Sequence, residues 1–177
     1  AHYAMLTVDE EGTVSYAPPV ALPGAVSISL DANGEPENFY ADGVAYYVIN
    51  NNMGYDGDLE LAMIPEDFRV SALNETLDDK KVLIENANTE LNPFALLFEF
   101  DGDVKHIRHV LYNCSASRPG IEGKTNEENR EVQTETLSIK ATPLASGVVK
   151  AKTGDSTDAA VYADWYKAVY MPSIAET

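Results

Sequence analysis

Residues 54–69, GYDGDLELAMIPEDFR, constrain this chain more than any other stretch, because a turn, a strand and a helix start follow one another there. Gly54 and the pair Asp56-Gly57 are expected to break the chain. Across 58–64 the side chains alternate, with Leu59, Leu61 and Met63 on one side and Asp58, Glu60 and Ala62 on the other. A period of two marks a strand with one wet face. Pro65 suits the first helical position, where a missing N–H costs nothing. Glu66 and Asp67 follow, where the helix dipole favours negative charge. Phe68 and Ala72 are four apart, so one short helix face can dock on the sheet.

Strand patterns fill most of the remaining chain. Residues 2–8 form a first strand with Tyr3 and Met5 facing one way, Glu11-Gly12 turns it, and 13–16 return. Residues 17–24, APPVALPG, carry three prolines and cannot be a central strand. They read as an extended connection. Residues 25–30 place Val26, Ile28 and Leu30 inward and Ser27 and Ser29 outward, and Asn33-Gly34 is a hairpin turn signal. Residues 39–50 are rich in aromatic and β-branched side chains, with Asp42-Gly43 as a break point.

Residues 73–92 are weakly periodic, with a short strand at 81–84, and a loop of that length is usually functional or mobile. FALLFEF at 94–100, the turn Asp101-Gly102-Asp103 and VKHIRHVLYN at 104–113 make the clearest hairpin. Residues 115–131 are polar and read as an exposed loop. Residues 132–141 are a long strand, with Leu137 and Ile139 inward and Val132, Thr134 and Thr136 opposite. Residues 147–151 are another strand. Asp158 can cap a short helical segment carrying Val161 and Trp165, and 169–171 are expected to rejoin the sheet. The expectation is a single domain over 1–177: mostly β, an antiparallel β-sandwich or barrel with one flanking α-helix.

Of 177 residues, 45 % are hydrophobic, which suits a globular chain. Twelve basic residues against 29 acidic ones leave a net charge of −17. Such an excess favours solubility and repels nucleic acid and anionic membrane. One cysteine, Cys114, excludes an internal disulfide and fits a reducing compartment or a fold that needs no staples. No secretory signal and no apolar run of membrane-spanning length are seen. The chain does not begin with Met, so a few leading residues are expected to be missing.

Chemistry-bearing patterns are sparse. His106 and His109 lie near Cys114, but residues three apart on a strand point to opposite faces, and no second cysteine is present. The turns at 56–58 and 101–103 lack the ligand ladder of a calcium loop. No spacing selects a glycosidase carboxylate pair. There is no GxSxG, P-loop or dinucleotide fingerprint. Scattered basic residues make no nucleic-acid patch. No catalytic residue, cofactor or metal is expected. Exposed Tyr and Trp leave open a monomeric β-sandwich module that binds carbohydrate or protein, and a hydrolase on the same sandwich ranks behind it.

Read together, FYADGVAYYV at 39–48, GYDGDLELAMIPEDFR at 54–69, FALLFEFDGD at 94–103, RHVLYNCSASRP at 108–119, EVQTETLSIKATP at 131–143 and WYKAVYMP at 165–172 resemble the major tail protein family of long-tailed, non-contractile bacterial viruses. The resemblance spans about the whole chain. It implies a tail tube subunit: hexameric rings whose sheets join into one barrel, stacked into a tube. Such a channel holds a tape-measure protein during assembly and later conducts DNA without specific binding. Tail terminator and tip proteins would be further partners. The location implied is the virion tail, assembled in the host bacterial cytoplasm, with no direct membrane binding and no cofactor. Asp58, Glu60 and Glu135, on the polar sides of their strands, are the candidates for the channel wall. Loops 73–92 and 115–131 are the candidates for joining rings.

Overall fold

A computed structural model describes residues 1–34, 37–41, 44–49, 51–121 and 133–173. The chain opens with β1 (His2–Val8), β2 (Val14–Tyr16), β3 (Val20–Ala21) and β4 (Ala25–Asn33). Next come β5 (Glu37–Ala41), β6 (Val44–Ile49), β7 (Gly54–Leu61) and α1 (Glu66–Ser71). Short β8 (Thr76–Leu77) and β9 (Leu83–Ile84) precede β10 (Phe94–Glu99) and β11 (Arg108–Ala116). The chain closes with β12 (Glu135–Ala141), β13 (Lys150–Lys152) and α2 (Ala159–Asp164).

Nine strands join in one antiparallel sheet with the path β2-β1-β10-β11-β12-β7-β4, while β3 pairs with β1 and β13 with β11. Two further hairpins, β5-β6 and β8-β9, form separate two-stranded sheets. Among the described residues the fold is mostly β, with a large antiparallel sheet and two short helices.

Both faces of the central strands are covered, which is why FALLF reads as a continuous apolar run. Phe94, Leu96 and Phe98 of β10 join Leu59, Leu61, Leu137 and Ile139 on one face. Helix α1 docks there through Phe68, which is fully buried edge-on to Tyr3 and Phe94 at ring distances of 4.9 and 5.2 Å. On the other face Ala95, Leu97, Val110 and Tyr112 pack with Trp165, just past α2. Asp158 caps α2 as its position implied, accepting from the Ala160 N–H at 2.8 Å. Arg108 lies 3.9 Å above the Tyr162 ring and pins this helix to β11.

Several boundaries differ from the sequence pattern, each for a local reason. Asp56-Gly57 is no turn: β7 runs straight through it. A Cβ on Gly57 would sit 1.9 Å from the Ser29 carbonyl oxygen, so this glycine serves the close approach of β4. β7 ends at Leu61, so Met63 is left exposed and Ile64 takes the buried position. Pro65 is the residue before the helix and not its first turn, with extended backbone. Asn33-Gly34 makes no hairpin between β4 and β5, because Asn33 pairs instead with Gly54 of β7. Val26 points to solvent, since a register shift between Ala25 and Ser27 re-aims it.

The turn after β10 is longer than Asp101-Gly102-Asp103 and runs to Ile107, with Asp103 accepting from the N–H groups of Lys105 and Ile107. Ser115 and Ala116 extend β11 beyond the expected loop start. Residues 169–171 do not rejoin the sheet, and the Tyr170 carbonyl instead accepts from the Tyr112 hydroxyl at 2.7 Å. Val132 and most of loop 115–131 lie outside the described residues. Loop 73–92 carries the β8-β9 hairpin and is tied down by Arg118, which pairs with Glu85 at 3.3 Å.

Candidate functional site

Three adjacent strands, β4, β7 and β12, present one wet face. Ser27, Ser29 and Asp31 of β4 stand opposite Glu60, Asp58 and Asp56 of β7. Thr136, Ser138 and Lys140 of β12 flank the same three residues on the other side. Alternation puts four carboxylates on this face with Lys140 and small hydroxyls between them, while Leu59 and Leu61 turn inward.

The carboxylates are held in place. Glu60 accepts from the Thr134 hydroxyl at 2.7 Å and from the Ser27 hydroxyl at 2.8 Å. These two hydrogen bonds, the Thr134 one first, hold its carboxyl below the usual carboxylate range. Asp58 accepts from the Ser138 hydroxyl at 2.8 Å. Asp56 accepts from the Asn33 side-chain amide at 2.7 Å, with the Lys140 ammonium 4.0 Å away. Asp31 and Asp56 face each other directly, a like-charge pair that costs stability unless neighbours offset it. Three of the four carboxylates are thus fixed by hydrogen bonds from neighbouring side chains. The row offers an acidic plane without a nucleophile or enclosing walls.

Asp58 and Glu60 therefore share one face. Glu135 does not join them. It lies two residues before Leu137, so the strand period turns it to the opposite face, and its placement on the polar side is corrected on that ground. There it accepts from the Ile64 N–H at 2.6 Å and from Arg69 at 2.6 Å. Arg69 also reaches the buried Glu75 at 3.3 Å. Glu135 is an anchor for the start of α1.

The face ends at an open border. β4 is the last strand of the path, nine residues long, and pairs only with β7 among the described residues. The far border is fragmented: β2 and β3 are three and two residues long, separated by the Pro18-Pro19 connection.

The histidines and the cysteine do not converge. His109 stacks on Phe98 at 5.1 Å, and burial, then Lys152 and Lys150, keep it from protonating readily. His106 is exposed in a left-handed turn conformation. Cys114 is wholly buried, and burial pushes its thiol up to about 12. Among the described residues no group of three His, Cys, Asp or Glu side chains is placed to hold a metal ion, and no helix is long and apolar enough to cross a membrane.

The comparisons leave function to the site itself: no protein-family model matches the chain, and no curated protein or solved structure matches it either.

Proposed function

We propose that this chain is the structural subunit of a bacterial virus tail tube, one that assembles as homohexameric rings and stacks into a channel. The observation that carries the reading is the juxtaposition of a nine-residue edge strand, whose outer border is unpaired among the described residues, with a hydrogen-bonded acidic face. An open edge of that length is an aggregation hazard in a monomer and an asset in a protein that is completed by its own copies. In this reading β4 of each subunit is extended by its neighbour, and the sheets close into one barrel. The face carrying Asp58 and Glu60, with Asp31 and Asp56 beside them, becomes the channel wall.

The charge serves the same end. Six copies at −17 each bring about −102 charges to a ring. A wall of fixed carboxylates offers DNA phosphates no counterion to release, so the genome passes without sticking. The tape-measure protein occupies the same channel during assembly, and terminator and tip proteins close its ends. The subunit is then a virion tail component, assembled in the host bacterial cytoplasm, that needs no cofactor and performs no catalysis.

A module binding sugars through exposed aromatic rings is less well supported. Among the residues whose side chains are described, Phe100 and Tyr170 are the exposed large aromatics, at 48 % and 39 %. Phe100 follows β10 and Tyr170 lies beyond α2, so they form no common platform. Electron microscopy of the purified, concentrated protein tests the proposal. Rings of six or tubes are expected, and a monodisperse monomer retained by immobilised glycans would overturn it.

A further inference from the structure

Where Ile28 and Leu30 of β4 face Phe98 of β10, the inner side of the sheet leaves an open notch of about 380 Å³. Ile28, Leu30 and Leu111 form its floor, and Phe100, His109 and Lys150 stand at its rim. Phe100 is 48 % exposed there. Lys152 pairs in register with His109, one strand across, so two lysines stand at this place.

These lysines are unusual for a chain of net charge −17. Arg69, Lys105, Arg108, Arg118, Lys140 and Lys167 each have a carboxylate partner. Lys80 and Lys81 follow Asp78 and Asp79 in one turn. Lys150 and Lys152 have no carboxylate within ion-pair distance among the described residues, and Lys150 rests on the Tyr55 ring at 4.3 Å. Apolar floor and uncommitted cations together define the occupant: an acidic projection with an apolar foot.

The turn between β1 and β2 fits that description. Asp9 closes it by accepting from the N–H groups of Glu11 at 3.0 Å and Thr13 at 2.7 Å. Glu10 and Glu11 are left exposed without an ion pair among the described residues, next to Val8, which is 55 % exposed. Two other exposed acidic turns carry lysines in the same stretch, Lys80 and Lys81 after Asp78-Asp79 and Lys105 after Asp101 and Asp103, whereas the Asp9–Gly12 turn carries none.

Strand direction separates the acidic turn from Phe98 and Phe100 of the notch along β10. β1 runs antiparallel to β10, with His2 opposite Leu97 and Met5 opposite Phe94. The acidic turn therefore projects past the N-terminal end of β10, while the notch opens at its C-terminal end. About nine residue steps separate them, roughly 30 Å along the strand axis. Complementary features at two ends make a heterologous contact that repeats without limit.

We propose that the Glu10-Glu11 tip of one copy seats in the Lys150-Lys152 notch of the next, head to tail, and that this contact stacks the assembly. It rests on the self-assembly proposed above and names the stacking surface. Opposite charge at the two ends sets direction and register and offsets the repulsion between like-charged subunits.

Charge reversal on either side tests it. The variants are E10K/E11K and K150E/K152E, each followed by sedimentation velocity and electron microscopy, with thermal melts to confirm folding. Each alone should raise the concentration needed for stacking at least tenfold. Mixed one to one, the two variants should stack again as an alternating copolymer, because each tip then meets a notch of opposite sign. Unimpaired stacking by either folded variant overturns the inference. So does a mixture that stays unstacked, and in both cases rings that still form leave the tail tube reading standing. A wild-type chain that stays monomeric at all concentrations overturns both. If a reversal prevents folding, E10Q/E11Q and K150Q/K152Q replace it. Those variants should each weaken stacking, and stacking unchanged in both overturns the contact.

Discussion

Arg69 of α1 donates to Glu135 of β12 at 2.6 Å, and the other oxygen of that carboxylate accepts from the Ile64 N–H just before the helix. One carboxylate thereby ties the entry of α1 to its last turn. Charged hydrogen bonds contribute about 1.5–3 kcal/mol, less where solvent reaches them, and Glu135 is about a third exposed. Glu135→Ala should therefore cost about 1–2 kcal/mol in urea unfolding. Glu60→Gln, on the wet face, should leave the urea midpoint unmoved. Equal loss from both substitutions would contradict the assignment of Glu135 as an anchor.

The pair Asp58→Asn and Glu60→Gln keeps the hydroxyl partners and removes two charges per subunit. Tubes should form as before, because the face makes no subunit contact in this account. DNA delivery should slow, measured as genome ejection from particles carrying the double variant. Unchanged ejection would argue against these residues as channel wall.

Val26 sits on the open strand at 58 % exposure. Lysine on an edge blocks strand addition, and a surface exchange costs within about 0.5 kcal/mol. Val26→Lys should give a folded monomer that no longer forms rings, as read by size-exclusion chromatography with light scattering. Rings of wild-type size would show that the edge at this position is not used.

Cys114 is fully buried, and its thiol is pushed up to about 12. The thiolate is the reactive form. Its raised value means that at pH 8 the native protein should resist iodoacetamide for hours, while the urea-unfolded chain reacts within minutes. Rapid labelling under native conditions would show that β11 opens locally.

Much of this fold was legible because alternation is a strong signal where one face is wet. Leu59 and Leu61 against Asp58 and Glu60, and Leu137 and Ile139 against Thr134 and Thr136, are placed as their period implies. Glu135 shows how the same rule is misapplied, since its parity matches Leu137 and its charge misleads. Gly57 shows what pattern alone cannot give: the glycine answers to the Ser29 backbone of another strand, not to a turn. The register shift that turns Val26 outward is likewise a property of the pairing with β7. The notch was illegible for the same reason, because it brings together β4, β7, β10, β11 and β13. Lys150 at its rim and Lys152 beside it gave no local signal beyond being basic in an acidic chain.

Hydrogen exchange of the β4 amides, compared between dilute monomer and assembled protein, bears most directly on the claim that sister copies complete the sheet. In the monomer every second amide of Ala25–Asn33 should exchange freely, because β7 satisfies only the alternate ones. On assembly those free amides should become protected along with the channel-wall strands. Assembled particles in which the same amides still exchange at the monomer rate would contradict it.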